Sequence, residues 1–268
     1  MKTHLLTKKR ALISSVAMLL VAIIALGTAT FAWFTQNTQA TADQLSVQTI
    51  KASELQIAKT TGDWGDQIHY NYVGKVLKPA SSVDGTNWFT AVAQDKGGYE
   101  AQTDVNATDI SSNLNGYVFK EQLNVRNNGK AAVEKVKIKF TLSETEAANG
   151  KYVRLALVPA DKRGADAVVR KADFQDSKYM FASGADTADA LATATKTTET
   201  ITATSGAAGE VEVGTLAPKD KDGSVKYYNL YVWFEGQDVD CKDVNGGNVM
   251  PEVTFTVTGN TVNQQTGN

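Results

Sequence analysis

Residue types that commonly do catalysis are scarce in this sequence, which has two histidines and one cysteine among 268 residues. His69 lies in an alternating apolar stretch, residues 68–72, and neither a G-x-S-x-G nucleophile motif nor an H-E-x-x-H zinc motif is present. Cys241 has acidic neighbours, which disfavour the reactive thiolate. The sequence therefore predicts no catalytic residues and a protein that is not an enzyme.

An acidic stretch near the carboxyl end is the candidate for metal binding. Between Glu235 and Gly247, three carboxylates are closely spaced, those of Asp238, Asp240 and Asp243. Calcium prefers oxygen ligands of this kind, although the order differs from an EF-hand loop. The alternative is a solvated acidic loop between two core strands. Calcium is thus the one cofactor that the sequence indicates.

Aromatic side chains could form a platform for a sugar. Trp64 lies in a turn-like sequence, residues 61–66, and is the best candidate for an exposed aromatic. Trp233 alternates with Tyr231 in a strongly apolar stretch, which predicts a core position for Trp233. The other aromatics considered for such a surface are Trp88, Phe89, Tyr227 and Tyr228.

The amino-terminal stretch has the pattern of an export signal. A basic triplet (Lys-Lys-Arg, residues 8–10) precedes an uncharged apolar run, residues 11–34, which as a helix would be about 36 Å long and could cross a bilayer. Its second half is rich in small residues, as is common before a cleavage site. We expect residues 1–32 to be a signal peptide that is removed after Ala32, with Ala42 as a second site. The alternative is a retained membrane anchor.

The charges outside this leader exclude one class of partner. Residues 1–42 contain four basic residues and no acidic one, so the rest of the chain is more acidic than the net charge of −2 indicates. An acidic domain has no electrostatic reason to bind nucleic acid. The single cysteine excludes an intramolecular disulfide, so stability must come from the hydrophobic core.

Alternating apolar and polar residues dominate after residue 45 and predict an all-β fold. The clearest two strands, residues 118–125 and 133–140, flank an Asn-Asn-Gly turn at residues 127–129. This turn favours a β-hairpin because Asn and Gly tolerate positive φ. Further strands are predicted at residues 152–158, 167–170, 179–182, 197–204, 210–216, 227–235 and 252–258.

Many short strands with turn residues between them predict an antiparallel jelly-roll or β-sandwich with few short helices, preceded by the apolar signal helix. The helix candidates are residues 143–149 and 186–194. No internal repeat or domain linker is visible, so residues 45–260 are expected to form one β-sandwich domain. An extended segment, residues 33–44, precedes this domain, and a polar tail, residues 261–268, follows it.

Two groups of motifs resemble exported proteins of Gram-positive bacteria. Thr-Phe-Ala-Trp-Phe-Thr, residues 30–35, is similar to the junction that SipW-type signal peptidases cut. Residues 123–136, around the Asn-Asn-Gly turn, are similar to a segment of the TasA and camelysin-like family. Residues 77–85 and 233–238 also resemble stretches of exported proteins with this type of leader.

The resemblance implies a secreted jelly-roll protein that assembles into biofilm-matrix fibres. A SipW-type signal peptidase would cut between Ala32 and Trp33, and further copies of the chain would be the main partners. In TasA fibres the mature amino-terminal segment inserts as a strand into the next subunit. The need for an accessory anchoring subunit stays open. The residues that would form this assembly strand are Trp33, Phe34, Thr35, Ala40 and Ala42.

The alternative function is a surface binding module that an uncut leader anchors in the membrane. Its loops would recognise a glycan or a host ligand. Both interpretations place the domain outside the cell: a cut chain is secreted to the matrix or surface, and an uncut chain is membrane-anchored. The amino terminus of the exported protein distinguishes them.

Overall fold

The structure, a computed structural model, describes Met18 and a larger set of residues that belong to the second of two units. Contacts between Cα atoms divide the chain into residues 1–38 and 39–268. The predicted signal helix, the cleavage site and segment 33–43 lie outside the described residues, Met18 excepted. Besides Met18, the described ranges are 44–50, 54–71, 76–90, 108–143, 151–183, 188–192, 198–206, 208–236, 238, 240–241 and 250–262.

The described part of the second unit is nearly all-β, as predicted. Its one described helix, α1 (Lys171–Phe174), has four residues. The described strands are β1 Gln44–Ile50, β2 Leu55–Ala58, β3 Gln67–Asn71, β4 Ala80–Ser82, β5 Trp88–Thr90, β6 Val118–Gln122, β7 Asn124–Asn127, β8 Val133–Leu142, β9 Val153–Ala160, β10 Met180–Ala182, β11 Ala188–Ala192, β12 Thr198–Thr202, β13 Thr204–Ser205, β14 Ala208–Leu216, β15 Val225–Phe234 and β16 Val253–Thr261.

One large sheet has its strands in the order β14-β8-β16-β1-β3. Neighbours run antiparallel except β1 and β16, which are parallel, with Val47 opposite Phe255. The first described strand therefore lies in the interior of the sheet, between the last described strand and β3. Main-chain pairing on both sides makes β1 an integral part of this sheet.

The second large sheet has the order β13-β10-β9-β15-β7-β2, and β6 also pairs with β15. β10 and β13 are parallel, and the other pairs are antiparallel. β4 with β5 and β11 with β12 form two small sheets. The prediction of an antiparallel fold is thus right for most described pairs and wrong for two. In both parallel pairs the two strands are far apart in the chain, which provides the long connection that parallel pairing requires.

The two large sheets contact each other through apolar side chains. Phe140 of β8 and Phe181 of β10 have ring centroids 4.7 Å apart. A Cβ placed on Gly259 of β16 would lie 3.1 Å from Leu55 Cδ1 of β2. Packing of one sheet on another through such contacts gives the domain a sandwich-like core.

A second apolar cluster forms on one face of β15. Trp88 lies at its centre, with its ring centroid 5.2 Å from that of Trp233 and 5.6 Å from that of Tyr231. Phe174 of α1 stacks on Trp233 at 6.0 Å. Because both faces of β15 are covered, its residues are buried continuously from Tyr228 to Phe234. The core position predicted for Trp233 is confirmed, and Tyr231 is buried as well.

The hairpin predicted around the Asn-Asn-Gly turn is wrong. β7, before the turn, pairs with β15 and β2 in the second sheet. β8, after the turn, pairs with β14 and β16 in the first sheet. None of Asn127, Asn128 and Gly129 has a positive φ, so the basis of the hairpin prediction is absent. The turn is instead a corner that leads the chain from one sheet to the other.

Two other element predictions are also wrong. Residues 186–194, predicted to be helical, contain β11, which pairs with the Thr-rich β12. This pairing outweighs the helix propensity of the alanines. Residues 167–170, predicted to be a strand, make only an isolated bridge between Ala160 and Val169 before α1 begins. Residues 144–149 of the other helix candidate lie outside the described residues.

Candidate functional site

The acidic stretch considered for calcium is built on a buried ion pair. Arg154 of β9 is fully buried, and its Nη2 donates to Oδ2 of the buried Asp238. Arg154 Nη1 donates to the carbonyl oxygen of Lys151 at 2.6 Å. The other carboxylate oxygen of Asp238 accepts the N–H of Asp240 at 2.8 Å. Both oxygens of Asp238 therefore have partners within the protein.

This arrangement gives Asp238 a structural role. A buried guanidinium needs a carboxylate close by, because an uncompensated charge in the interior is strongly unfavourable. Glu235 is also fully buried and accepts the indole N–H of Trp233 at 3.0 Å. The start of the stretch is thus part of the core, so the solvated-loop alternative is wrong for these two residues.

The calcium hypothesis itself stays a prediction. Asp240 is half-buried, and Asp243 lies outside the described residues. Within the part of the chain that the structure describes, no three His, Cys, Asp or Glu residues are grouped as a metal site requires.

Trp64, expected to be exposed, is half-buried next to two arginines. The guanidinium carbons of Arg126 and Arg163 lie 4.6 and 5.2 Å from its ring centroid. Arg163 also donates to the carbonyl oxygens of Lys59 and Gly62. Burial and the positive charge of Arg163 lower the pKa of Arg126. Trp64 and the arginines therefore fix the loop between β2 and β3, and the ring is not a free platform.

The segment that resembles TasA-like proteins is held by one buried amide. Asn127 Nδ2 donates to the carbonyl oxygens of Ala131 and Ala217 at 2.7 and 2.9 Å, and its Oδ1 accepts the N–H of Gly129 at 2.8 Å. A Cβ on Gly129 would lie 2.3 Å from Glu54 Cγ. Close packing therefore requires glycine at this corner, and Asn127 fixes the path of the chain.

The predicted cleavage and assembly residues all lie outside the described residues, so both stay predictions. The description of the chain resumes at Gln44, which lies opposite Asn71 at the end of β3. The predicted cleavage and assembly residues are Ala32, Trp33, Phe34, Thr35, Ala40 and Ala42.

A groove that the sequence did not predict lies between β14 and the paired ends of β9 and β15. It has a volume of about 440 Å³ and is bordered by Tyr179, Tyr227 and Tyr228. Tyr228 is buried, and burial raises the pKa of its phenol. Alternation placed Tyr227 and Tyr228 in a strand, but only the pairing of β9 with both β10 and β15 brings Tyr179 beside them. We call this the tyrosine groove.

Comparisons with known proteins do not extend this description. No protein-family model matches the chain, and no curated protein matches it. Among the described residues, no helix is long and apolar enough to cross a membrane. The resemblance to TasA-like proteins therefore rests on the sequence stretches quoted above.

Proposed function

We propose that this protein is a secreted structural protein that assembles into biofilm-matrix or surface filaments. In this proposal the mature amino terminus of one subunit inserts as a strand into the next subunit. The supporting observation is the position of β1, inside the first sheet between β16 and β3. Segment 33–43 directly precedes this strand, and 11 extended residues could span about 36 Å, enough to reach a neighbouring subunit.

The first sheet also offers edges that could receive a strand. Within the described residues, β14 and β3 are its terminal strands and pair within the sheet on one side only. The free N–H and C=O groups of an edge strand can bind an added strand. Head-to-tail contacts that do not close into a ring produce filaments. We also propose that the sandwich belongs to the jelly-roll class, because of this sheet arrangement and the resemblance to TasA-like proteins.

The composition of segment 33–43 determines which interactions would stabilise an inserted strand. Its main chain would supply hydrogen bonds, whereas Trp33 and Phe34 would supply most of the buried apolar area. The proposal places the protein outside the cell, requires a SipW-type signal peptidase to free Trp33, and includes no enzymatic activity. It leaves open whether an accessory subunit anchors the filament.

The amino terminus and the assembly state of the exported protein test this proposal. We expect mass spectrometry to find a mature chain that begins at Trp33, and electron microscopy of the purified protein to show filaments. Replacing Trp33 and Phe34 together by Ser should abolish the filaments, because the apolar contacts are lost. Replacing Gln36 and Gln39 together by Ser is the control and should preserve them.

Two results would contradict the proposal. One is a mature protein that stays monomeric at high concentration, across pH and with added calcium. The other is an uncut leader in the membrane fraction, which would support the anchored binding module.

A further inference from the structure

Two Asn-Gly dipeptides lie in the described part of the chain, and the fold holds them differently. Asn115-Gly116 belongs to the turn before β6, and Asn128-Gly129 belongs to the corner before β8. Glycine has no Cβ to shield its main-chain nitrogen, so this nitrogen can approach the side-chain amide of the preceding asparagine. The fate of each asparagine therefore depends on what the fold does with the N–H of the glycine that follows it.

The peptide between Asn115 and Gly116 is not anchored by hydrogen bonds. The turn around it is closed by the N–H groups of Tyr117 and Val118, which donate to the carbonyl oxygen of Leu114 at 3.0 and 2.9 Å. Within the described residues, neither the carbonyl oxygen of Asn115 nor the N–H of Gly116 makes a hydrogen bond. Turn types I and II differ mainly in the orientation of this central peptide. It can therefore rotate while the hydrogen bonds that close the turn persist.

The side chain of Asn115 is accessible as well. It is exposed and makes no hydrogen bond within the described residues. A Cβ placed on Gly116 would have no neighbouring atom within 4 Å, so the space beside this glycine is open. Both reacting groups, the amide carbon and the glycine nitrogen, are thus unhindered.

The second dipeptide is protected by hydrogen bonds and burial. Gly129 is buried, and its N–H donates to Oδ1 of Asn127 at 2.8 Å. The N–H of Asn128 donates to the carbonyl oxygen of Glu54 at 2.9 Å. The carbonyl oxygen of Gly129 accepts the N–H of Lys219 at 2.8 Å. The glycine nitrogen can therefore react only when this corner opens locally.

We propose that Asn115 is a site of spontaneous deamidation in the folded protein and that Asn128 is protected from it. The main-chain nitrogen of Gly116 loses its proton and forms a bond to Cγ of Asn115. The bond from Cγ to the side-chain nitrogen breaks, that nitrogen takes up the proton, and ammonia leaves a succinimide ring. Water then opens the ring at either carbonyl to give aspartate or isoaspartate. Both products add a negative charge to the exposed turn.

Peptide mapping by mass spectrometry of the dispersed, purified protein tests this assignment. During incubation at about pH 8 we expect a gain of about 1 Da that fragmentation locates at Asn115. In the folded protein Asn115 should react at least about 10-fold faster than Asn128, the protection that one hydrogen bond provides. In concentrated urea the two asparagines should react at similar rates, because the dipeptides are identical and the fold is removed.

Two variants separate the contributions of the two sites. Asn115→Gln keeps an amide but lengthens the side chain, and it should abolish the mass gain at this position. Asn127→Ala removes the acceptor of the Gly129 N–H, so it should accelerate deamidation of Asn128 and leave the rate at Asn115 unchanged. If Asn127→Ala does not fold, the comparison of folded and urea-treated wild type still decides.

Three results would overturn the proposal. The first is a folded protein in which Asn115 gains no mass. The second is a ratio of the Asn115 and Asn128 rates that is the same with and without urea. The third is a folded Asn127→Ala variant in which Asn128 stays as protected as in the wild type.

Discussion

Arg154 and Asp238 show how a charge can be accommodated inside an all-β domain. Both side chains are almost completely buried, yet Arg154 lies on β9 and Asp238 follows β15. Neighbouring carbonyl oxygens accept further N–H groups of the guanidinium, so the hydrogen bonds of the pair extend to the backbone. Removing one partner of such a pair is much more costly than removing an exposed charge.

The variant Asp238→Asn tests this role. We expect the free energy of unfolding, measured with urea, to fall by about 3 kcal/mol, because the buried guanidinium of Arg154 loses the negative charge that it contacts. Asp166→Asn is the control, since it breaks an exposed pair with Lys162 and should leave the free energy of unfolding nearly unchanged. Equal effects of the two variants would contradict the structural role. A calcium-dependent rise in the unfolding midpoint of the wild type would instead support an ion in this stretch.

At the scale of the secondary-structure elements, the corner between β7 and β8 has a similar structural role. It is the point at which the chain leaves the second sheet and enters the first. Asn127 supplies three hydrogen bonds there that the backbone cannot make within either sheet. The side chain of one residue thus holds together three backbone segments around residues 127, 131 and 217.

The variant Asn127→Ala should disrupt this corner. It leaves the carbonyl oxygens of Ala131 and Ala217 and the N–H of Gly129 without their partner, so we expect the free energy of unfolding to fall by about 3 kcal/mol. Asn128→Ala is the matched control, because the Asn128 side chain makes no hydrogen bond within the described residues. Urea unfolding of both variants measures the difference. A loss for Asn128→Ala as large as for Asn127→Ala would show that the corner does not depend on the Asn127 amide.

At the scale of the whole molecule, β1 is an amino-terminal strand of the second unit that pairs with its last described strand, β16. It pairs with β16 on one side and with β3 on the other, so the described core of the first sheet is completed only by the amino-terminal strand. This arrangement separates two parts of the amino terminus. Residues from 44 onward belong to the sheet, whereas the proposed assembly segment precedes it.

Two truncations test this division. Removing residues 1–42 keeps β1 and should preserve a single cooperative urea transition, because the sheet is complete. Removing residues 1–51 deletes a strand from the sheet interior and leaves β16 and β3 without their common partner, so we expect the cooperative transition to be lost. Circular dichroism and hydrogen exchange measure the outcome. Equal stability of the two truncated chains would show that β1 is not integral to the fold.

The sequence by itself determined the fold class and much of the core. Alternation is a local property, because successive side chains of a strand point to opposite faces, so it identified most strands and the buried position of Trp233. It could not determine which strands pair. The Asn-Asn-Gly turn was predicted to close a hairpin, but residues distant in sequence, Ala217 and Glu54, decide the geometry of this turn.

The candidate sites show the same division between what the local sequence determines and what long-range pairing determines. The charge of Asp238 was visible in the sequence, but its partner Arg154 is 84 residues away, so only the tertiary structure showed that the carboxylate is buried in an ion pair. Tyr179 and Tyr228 likewise approach each other only because β9 pairs with both β10 and β15. Local pattern determined what each stretch becomes, and long-range pairing decided what each side chain contacts.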